Sequence, residues 1–551
     1  MKRLKIIFKA AGIALLAVIL AIIVLSFKNM KDHNPGYRAD IEIHGGKVSA
    51  LKAGFSAVSI TPEVPDRWTD ADNNAKYEPR RGDTFTDGNG NGVFDPVWIA
   101  GFGNKRAANG VHDDLWARTM ILDDGKSRLA IVVLDLIGFM NNDVIDVRSR
   151  IPEDAGITYT IIISTHTHEG PDMLGLWGKS PLKSGVDGKY KEYVKRRIVE
   201  SVIAATESLR PAYLEVSEDL TGAEHLVTDT RKPDVYDSGL RCIKVLDAEN
   251  GSTLGSVISW ADHPETLWGN NLLITSDFPH FVREGVEKGV FRNGSTDGER
   301  TEAGFSRGSS LAGIGTEETV SGGGNQGMEG TGGTAIYVNG AIGGLMTTHP
   351  SLSVKDPFSD TEYSEPSFAK AEAQGKQVAL LALKAMQNPA ARIDSATLSL
   401  VARTVILPVR NKLFRLGTML GILDRGMTGW MKMRTELAVF KIGPLSFATM
   451  PGEVYPEIVN GGIEAPEGND FSTGPAELPP VREMMPGRFK FFFGLANDEI
   501  GYVIPKSQWD VKSPYTYGRN SPPYGEENSL GPETAGILHE NLKEMLRELN
   551  R

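Results

Sequence analysis

Short apolar runs alternate along this chain with stretches of helical periodicity. Residues 129–136 and 159–163 are continuous apolar runs, rich in β-branched side chains, and are typical of buried strands. Residues 142–150 between them have helical spacing, so the sequence predicts a β-α-β unit with parallel strands. Because the alternation continues without a linker, we predict one large α/β domain over residues 53–551, with mixed sheets flanked by helices.

The amino terminus has a different pattern. Residues 10–27 contain no charged side chain, and four basic residues precede them. This run is just long enough to cross a bilayer, and the preceding positive charges predict an extracytoplasmic body, periplasmic or extracellular. We expect a signal-anchor or transmembrane segment in residues 1–31 and a tether in residues 32–52. A cleaved signal, which leaves a secreted protein, is the alternative.

Charge and cysteine content exclude two classes of function. The formal net charge is −11, so no basic surface is expected and a nucleic-acid partner is excluded. The single cysteine, Cys242, permits neither an internal disulfide nor a cysteine-rich metal site.

Metal-binding side chains follow several predicted strands. His166 and His168 come directly after one strand, and their two-residue spacing places them on the same side. His263 follows a second strand, and Glu453 follows a third. Two imidazoles, one carboxylate and an open fourth position form the usual ligand set of catalytic zinc, so we expect these side chains to converge.

A second metal motif lies in a polar loop. Oxygen-bearing side chains stand at the first, third, fifth and ninth positions of an EF-hand-like pattern: Asp87, Asn89, Asn91 and Asp95. Gly92 occupies the sixth position, but Trp98 replaces the usual glutamate at the twelfth, which leaves Asp70 and Asp72 as nearby sources of oxygen. The pattern predicts a structural calcium ion, and a solvated turn cluster is the alternative.

Two further segments leave their roles open. Residues 413–433, the flap, are largely apolar and interrupted by glycines; they are either ordinary core or a flexible cover for acyl chains. Residues 291–335 are rich in glycine, serine and threonine, which predicts a lid or a surface insertion.

Several motifs, taken in order, resemble the neutral (non-lysosomal) ceramidase family over roughly residues 53–549. They are Ile60-Thr61-Pro62, Thr165-His166-Thr167-His168, His263-Pro264, Pro451-Gly452-Glu453, Gly501-Tyr502-Val503 and Leu530-Gly531-Pro532. The resemblance implies a zinc-dependent hydrolase of an N-acyl amide bond in a lipid substrate, ceramide or a related N-acyl lipid. It implies zinc ligands His166, His263, Glu453 and Tyr502, with His168, Tyr524 and Arg231 acting on the substrate.

The chain departs from that family at two places. Gly344 stands where the family has a serine important for activity, which leaves the exact acyl amide open. After the catalytic region we expect no C-terminal immunoglobulin-like domain.

Two other functions compete with this interpretation. One is a two-metal hydrolase of another class, in which Asp172 or Asp277 joins the His166-x-His168 pair, although the usual H-x-H-x-D-H pattern is missing. The other is a catalytically degenerate, membrane-tethered binding protein, for which the absent serine is the best support.

Overall fold

The protein is built on two β-sheets. The computed structural model describes residues 9, 12, 13, 16, 17 and 20, together with 23–292, 327–349 and 351–551. The large sheet has ten strands; the order along its main path is Thr334–Val338, Thr253–Ser259, Leu240–Asp247, Arg210–Asp219, Ser49–Ser59, Trp116–Asp123, Arg128–Leu134 and Tyr159–Ser164. Its two remaining strands, Ala391–Ile393 and Ser395–Ala396, pair with Arg210–Asp219 and Ser49–Ser59.

The small sheet has five strands, in the order Asp40–Ile43, Leu398–Pro408, Lys432–Ile442, Leu445–Thr449 and Phe489–Phe493. One buried cluster unites apolar side chains of both sheets, including Ile131 and Ile161 of the large sheet and Phe440 and Phe447 of the small one. The two sheets therefore pack face to face around a common core.

Helices cover the outer faces of both sheets. Those against the large sheet are Asn141–Arg150, Gly188–Glu207, Phe278–Lys288 and Phe368–Gln387, and Thr534–Leu549 packs on the small sheet. The shorter helices are Lys412–Met419, Pro456–Asn460, Val481–Met484 and Tyr524–Glu527. The result is a four-layer, single-domain α/β fold with mixed sheets, and the predicted fold class is confirmed for this body.

The β-α-β unit that positions the first histidines is confirmed. Strands Arg128–Leu134 and Tyr159–Ser164 are parallel neighbours, and helix Asn141–Arg150 connects them. Their carboxyl ends meet at one edge of the large sheet. Chemistry in open α/β sheets is usually located at such an edge.

The predicted tether, residues 32–52, belongs to the body instead. Strand Asp40–Ile43 pairs antiparallel with Leu398–Pro408, and strand Ser49–Ser59 begins inside the same range. Asp32 also binds Arg434, with N–O distances of 2.7 and 3.1 Å. An edge strand is held by backbone hydrogen bonds, which a polar sequence without periodicity does not reveal.

In the part of the chain that the structure describes, no helix combines the length and the apolar character needed to cross a membrane. Residues 1–8 and several residues between 10 and 22 lie outside that part, so the anchor in residues 1–31 stays a prediction. Most of the predicted insertion, residues 293–326, also lies outside the described residues.

Candidate active site

His166 and His263 are oriented by the same kind of contact. Nδ1 of His166 lies 2.6 Å from the carbonyl oxygen of Ile137, and Nδ1 of His263 lies 2.6 Å from that of Leu345. A carbonyl oxygen can only accept, so Nδ1 carries a proton in each ring, and Nε2 bears the lone pair whenever the ring is neutral. Carbonyl contacts of this kind commonly fix the tautomer of metal-binding histidines.

Glu453 faces both histidines. Its Oε2 lies 2.9 Å from Nε2 of His263, and its Oε1 lies 3.7 Å from Nε2 of His166. Glu453 and Tyr502 are register partners in the short parallel pair Glu453–Val454 and Tyr502–Val503, and the Tyr502 hydroxyl donates to the Glu453 carboxylate. The four side chains predicted to bind zinc are therefore brought together by this fold.

His168 lies in the same cluster. Its ring centroid is 4.9 Å from that of His166 and 5.7 Å from that of His263, and one ligand atom of each ring lies within 4.8 Å of the others. Neither ring nitrogen of His168 has a hydrogen-bond partner among the described residues, although only 12% of the side chain is exposed. His168 is thus close enough to contact either a metal ion or a substrate bound beside it.

The pKa values of the three histidines are shifted in different directions. Burial lowers the pKa of His166 to about 4, and burial together with the neighbouring rings lowers the pKa of His168 well below its usual value. For His263, burial acts in the same direction, but the hydrogen bond and charge of Glu453 outweigh it and raise the pKa to about 9. Without a cation, the contact between His263 and Glu453 needs a proton between two acceptors, and a divalent metal replaces that proton.

His166, His168, Glu453 and Tyr502 border a cavity of about 610 Å³, whereas His263 is fully buried and does not line it. One part of its wall is apolar and consists of Ile137, Met140, Leu174, Leu176, Trp177, Phe414 and Leu423. Another part is polar and includes Thr230, Glu265, Thr348, His349 and Asn528. Tyr524 also borders the cavity, and its ring centroid lies 6.0 Å from that of Tyr502. The cavity therefore combines apolar lining that suits an acyl chain with polar groups that suit a polar part of a substrate.

Arg231, predicted as an active-site residue, is directed elsewhere. Its guanidinium binds Glu457 at 2.9 Å and Asp229 at 2.8 Å, and it lies 3.6 Å from the centroid of the Tyr455 ring. Arg231 is not among the cavity-lining residues, whereas its neighbour Thr230 is.

Arg231 explains the glycine found in place of the family serine. Gly344 has a φ of +90°, and a Cβ atom there would lie 1.9 Å from Nε of Arg231. A side chain at position 344 would strain the backbone and would have to displace the guanidinium of Arg231. Arg231 thus fills the space that a serine at position 344 would require.

The carboxylates of the two-metal alternative do not line the cavity. Asp172 accepts backbone N–H groups of Leu174, Gly175 and Trp177. Asp277 accepts the backbone N–H of Phe278 at the start of helix Phe278–Lys288. Both therefore support local backbone structure.

Two cavity acids, Glu265 and Glu499, were missed from the sequence. Glu265 follows His263 by two residues and Glu499 precedes Tyr502 by three, so proximity to a ligand was the available signal. With Glu453 they place three carboxylates on the cavity wall, whereas Arg425, the guanidinium there, already binds Asp498 at 2.6 Å. Burial raises the pKa of Glu265 and that of Glu499, and a bound cation would oppose this effect by favouring the charged carboxylates.

The predicted calcium loop is folded back on itself. Oδ1 and Oδ2 of Asp87 accept backbone N–H groups of Gly90 and Gly92, and the amide nitrogens of Asn89 and Asn91 contact Oδ2 of Asp95 at 2.8 and 2.6 Å. The side chains of Asn89, Asn91 and Asp95 therefore contact one another, while Asp87 holds the backbone of the turn. Nearby, carboxylate oxygens of Asp70, Asp72 and Asp83 lie within 4.8 Å of one another, so Asp70 and Asp72 form a separate cluster.

Comparisons with known proteins address the fold. No protein-family model and no curated protein matches the sequence. Neutral ceramidase from Pseudomonas aeruginosa matches the structure with a TM-score of 0.58 and 15% identity, over 91% of this chain and 74% of that one. A ceramidase complexed with C2 matches with a TM-score of 0.59 and 16% identity, over 91% and 75%. The chain therefore has the fold of neutral ceramidase.

Proposed function

We propose that this protein is a zinc-dependent hydrolase of an N-acyl amide bond in a lipid substrate, ceramide or a related N-acyl lipid. The observation that carries the proposal is the convergence of His166, His263, Glu453 and Tyr502 beside a cavity with an apolar wall. The similarity to ceramidases supports the same reaction class.

The four side chains fit zinc. The histidines direct Nε2 lone pairs toward Glu453, Tyr502 contributes a phenol oxygen, and nitrogen and oxygen donors of this kind are accepted by zinc. A bound zinc ion lowers the pKa of a coordinated water toward ~7 and polarises a carbonyl group, which is the chemistry that amide hydrolysis at neutral pH requires.

The protein's own groups hold the substrate and move its protons. The apolar wall binds the acyl chain, and the polar wall faces the departing amine. We assign the Tyr524 hydroxyl to donate to the carbonyl oxygen as negative charge develops there. His168 takes the proton from the attacking water and delivers it to the amine nitrogen as the C–N bond breaks.

Hydrolysis of a fluorogenic long-chain N-acyl amide tests the proposal. Wild type is compared with Glu453→Ala and with Glu63→Ala, a matched control at an exposed glutamate. We expect wild-type rates from the control and loss of both activity and zinc from Glu453→Ala. Full activity of Glu453→Ala contradicts the proposal. If a short-chain acetyl amide is hydrolysed at the same rate as the long-chain amide, the lipid assignment is contradicted.

We also propose that a bilayer lies beside the cavity, with the body on the extracytoplasmic side. The flap exposes Leu413, 68% accessible, and Trp430, 76% accessible, while Phe414 and Leu423 of the same segment line the cavity. The helix over residues 23–29 ends against the flap, because the Asn29 side chain donates to the carbonyl of Met419. Exposed Lys28, Lys31, Lys412 and Lys432 flank this surface and suit anionic headgroups.

Finally, we propose a structural calcium ion in the loop of residues 87–95. Oδ1 of Asn89 and Oδ1 of Asn91 accept the backbone N–H groups of Asn91 and Val93 at 3.1 and 2.9 Å, so a bound ion would compete with the loop's own hydrogen bonds for these oxygens. Asp87 and Asp95 supply the charge.

A further inference from the structure

Glu265 is a buried cavity carboxylate without a role in the chemistry described so far. Its Oε1 accepts the Thr348 hydroxyl at 2.7 Å, and only 6% of its side chain is exposed. Among the described residues, its one ion-pair contact is with Nδ1 of His168, at 3.4 Å from Oε2. The charge of His263 also acts on Glu265, but His168 is the imidazole in direct contact with it. Burial of a carboxylate with so few partners is costly, and such groups are concentrated at functional sites.

Backbone contacts hold the two residues in register. The N–H of His168 donates to the carbonyl of Pro264 at 2.9 Å, and the N–H of Glu265 donates to the carbonyl of His263 at 2.9 Å. Arg106 donates to the carbonyl of His168 from the other side. The loop carrying Glu265 is thus bound directly to the loop carrying His168, so their separation is set by backbone as well as by side chains.

The ring of His168 is confined on its remaining side. A Cβ atom on Gly101 would lie 2.7 Å from Nδ1 of His168, and the Phe102 ring centroid is 5.2 Å from the imidazole centroid. Both ring nitrogens nevertheless lack a hydrogen-bond partner within the part of the chain that the structure describes. A contact of 3.4 Å is longer than a typical N–H···O bond of about 2.9 Å, and catalytic hydrogen bonds often shorten when substrate binds.

We propose that Glu265 is the positioning residue of His168: it accepts the Nδ1–H and thereby directs Nε2 toward the scissile carbonyl. The inference rests on the proposed function and deepens it. Thr348 in turn fixes the carboxylate by donating to Oε1.

The orientation serves a balanced proton transfer. A water O–H bond breaks and its proton goes to Nε2, while the water oxygen bonds to the carbonyl carbon. The C–N bond then breaks, and the proton on Nε2 passes to the amine nitrogen. Nδ1 keeps its proton toward Glu265 throughout, so no other reactant is needed.

A double-mutant cycle tests the assignment in the full-length protein. Glu265→Ala is expected to reduce kcat by roughly 10–100-fold with little change in KM or zinc content. Glu265→Gln keeps an acceptor oxygen and is expected to lose less. In the His168→Ala background, Glu265→Ala is expected to cost almost nothing further, because the residue it positions is gone. A parallel cycle of Glu499→Ala with His168→Ala is the control and is expected to be closer to additive.

Three outcomes overturn the inference: unchanged activity of Glu265→Ala, loss of zinc from that variant, or an equal loss with and without His168. The proposed function survives each of them, provided that wild type hydrolyses the amide. If wild type is inactive, crystal structures of wild type and Glu265→Ala decide the inference instead. We expect one His168 rotamer hydrogen-bonded to Glu265 in wild type and several in the variant, and identical ring positions contradict the inference.

Discussion

Nε2 of His263 lies 2.9 Å from Oε2 of Glu453, although the carbonyl of Leu345 already fixes the proton of His263 on Nδ1. Two acceptor atoms at this distance require a proton or a metal ion between them. We therefore predict that purified wild type contains one equivalent of zinc and that Glu453→Ala and His263→Ala contain almost none. Metal analysis checks this. Zinc retained by both variants at wild-type levels contradicts it, and two equivalents in wild type favour the two-metal alternative.

Metal removal is expected to lower stability as well as activity. A ligand present at a hundred times its Kd stabilises the folded state by about 2.7 kcal/mol, so a chelator should lower Tm by several degrees. Glu453→Ala is the control, measured with calcium in excess so that the loop of residues 87–95 keeps its ion; a zinc-selective chelator should leave the Tm of this variant almost unchanged. An equal chelator-induced shift in this variant assigns the effect to a site other than the proposed zinc site.

Replacement of His168 separates chemistry from metal binding. We predict that His168→Ala retains zinc and loses about 10²-fold in kcat, because a general acid-base group contributes an effect of that size. Zinc content and kcat are measured on the same sample. Loss of zinc shows instead that His168 is a ligand, which its place within 4.8 Å of the other two histidines also permits.

Placing a serine at position 344, as in the ceramidase family, is expected to destabilise this chain. Gly344→Ser places a side chain at a φ of +90° and against Nε of Arg231, which should cost ~2 kcal/mol or more in the free energy of unfolding. Denaturant unfolding measures the loss. The double variant Gly344→Ser with Arg231→Ala should lose less free energy of unfolding than the sum of the losses in the two single variants, because the collision with the guanidinium is removed. Strict additivity contradicts this steric explanation.

The calcium proposal predicts that Asp87→Ala with Asp95→Ala removes the increase in Tm that calcium gives wild type. Thermal unfolding with calcium and with chelator measures the difference. Asp70→Ala with Asp72→Ala is the matched control at the neighbouring acidic cluster. A wild type indifferent to calcium shows that the loop is a turn cluster held by its own hydrogen bonds.

The membrane proposal predicts contact between the flap and lipid. Cys242 is buried, so a cysteine introduced at Leu413 can be labelled selectively with an environment-sensitive fluorophore in the full chain. In vesicles of phosphatidylcholine and phosphatidylglycerol, brominated lipids should quench this label. They should leave a label at Val48, another exposed apolar position, unaffected. Equal, unquenched signals at both positions contradict the proposal.

The sequence by itself determined the fold class and the strand-end positions of His166, His263 and Glu453. Periodicity identifies strands locally, and the polar residues that follow apolar strands reveal an edge with chemistry. Tyr502 and Tyr524 required the family resemblance, because the residues between Glu453 and Tyr502 give no periodic signal that the two side chains meet.

Only the tertiary structure decided which side chains share the cavity. Contacts such as Glu265 with His168, or Arg231 with the space beside Gly344, join residues about one hundred positions apart. These contacts depend on how loops from both sheets pack together. The local hydrophobic pattern of the sequence carries no information about that packing. Strand Asp40–Ile43 was hidden for a related reason, since backbone hydrogen bonds to Leu398–Pro408 create it.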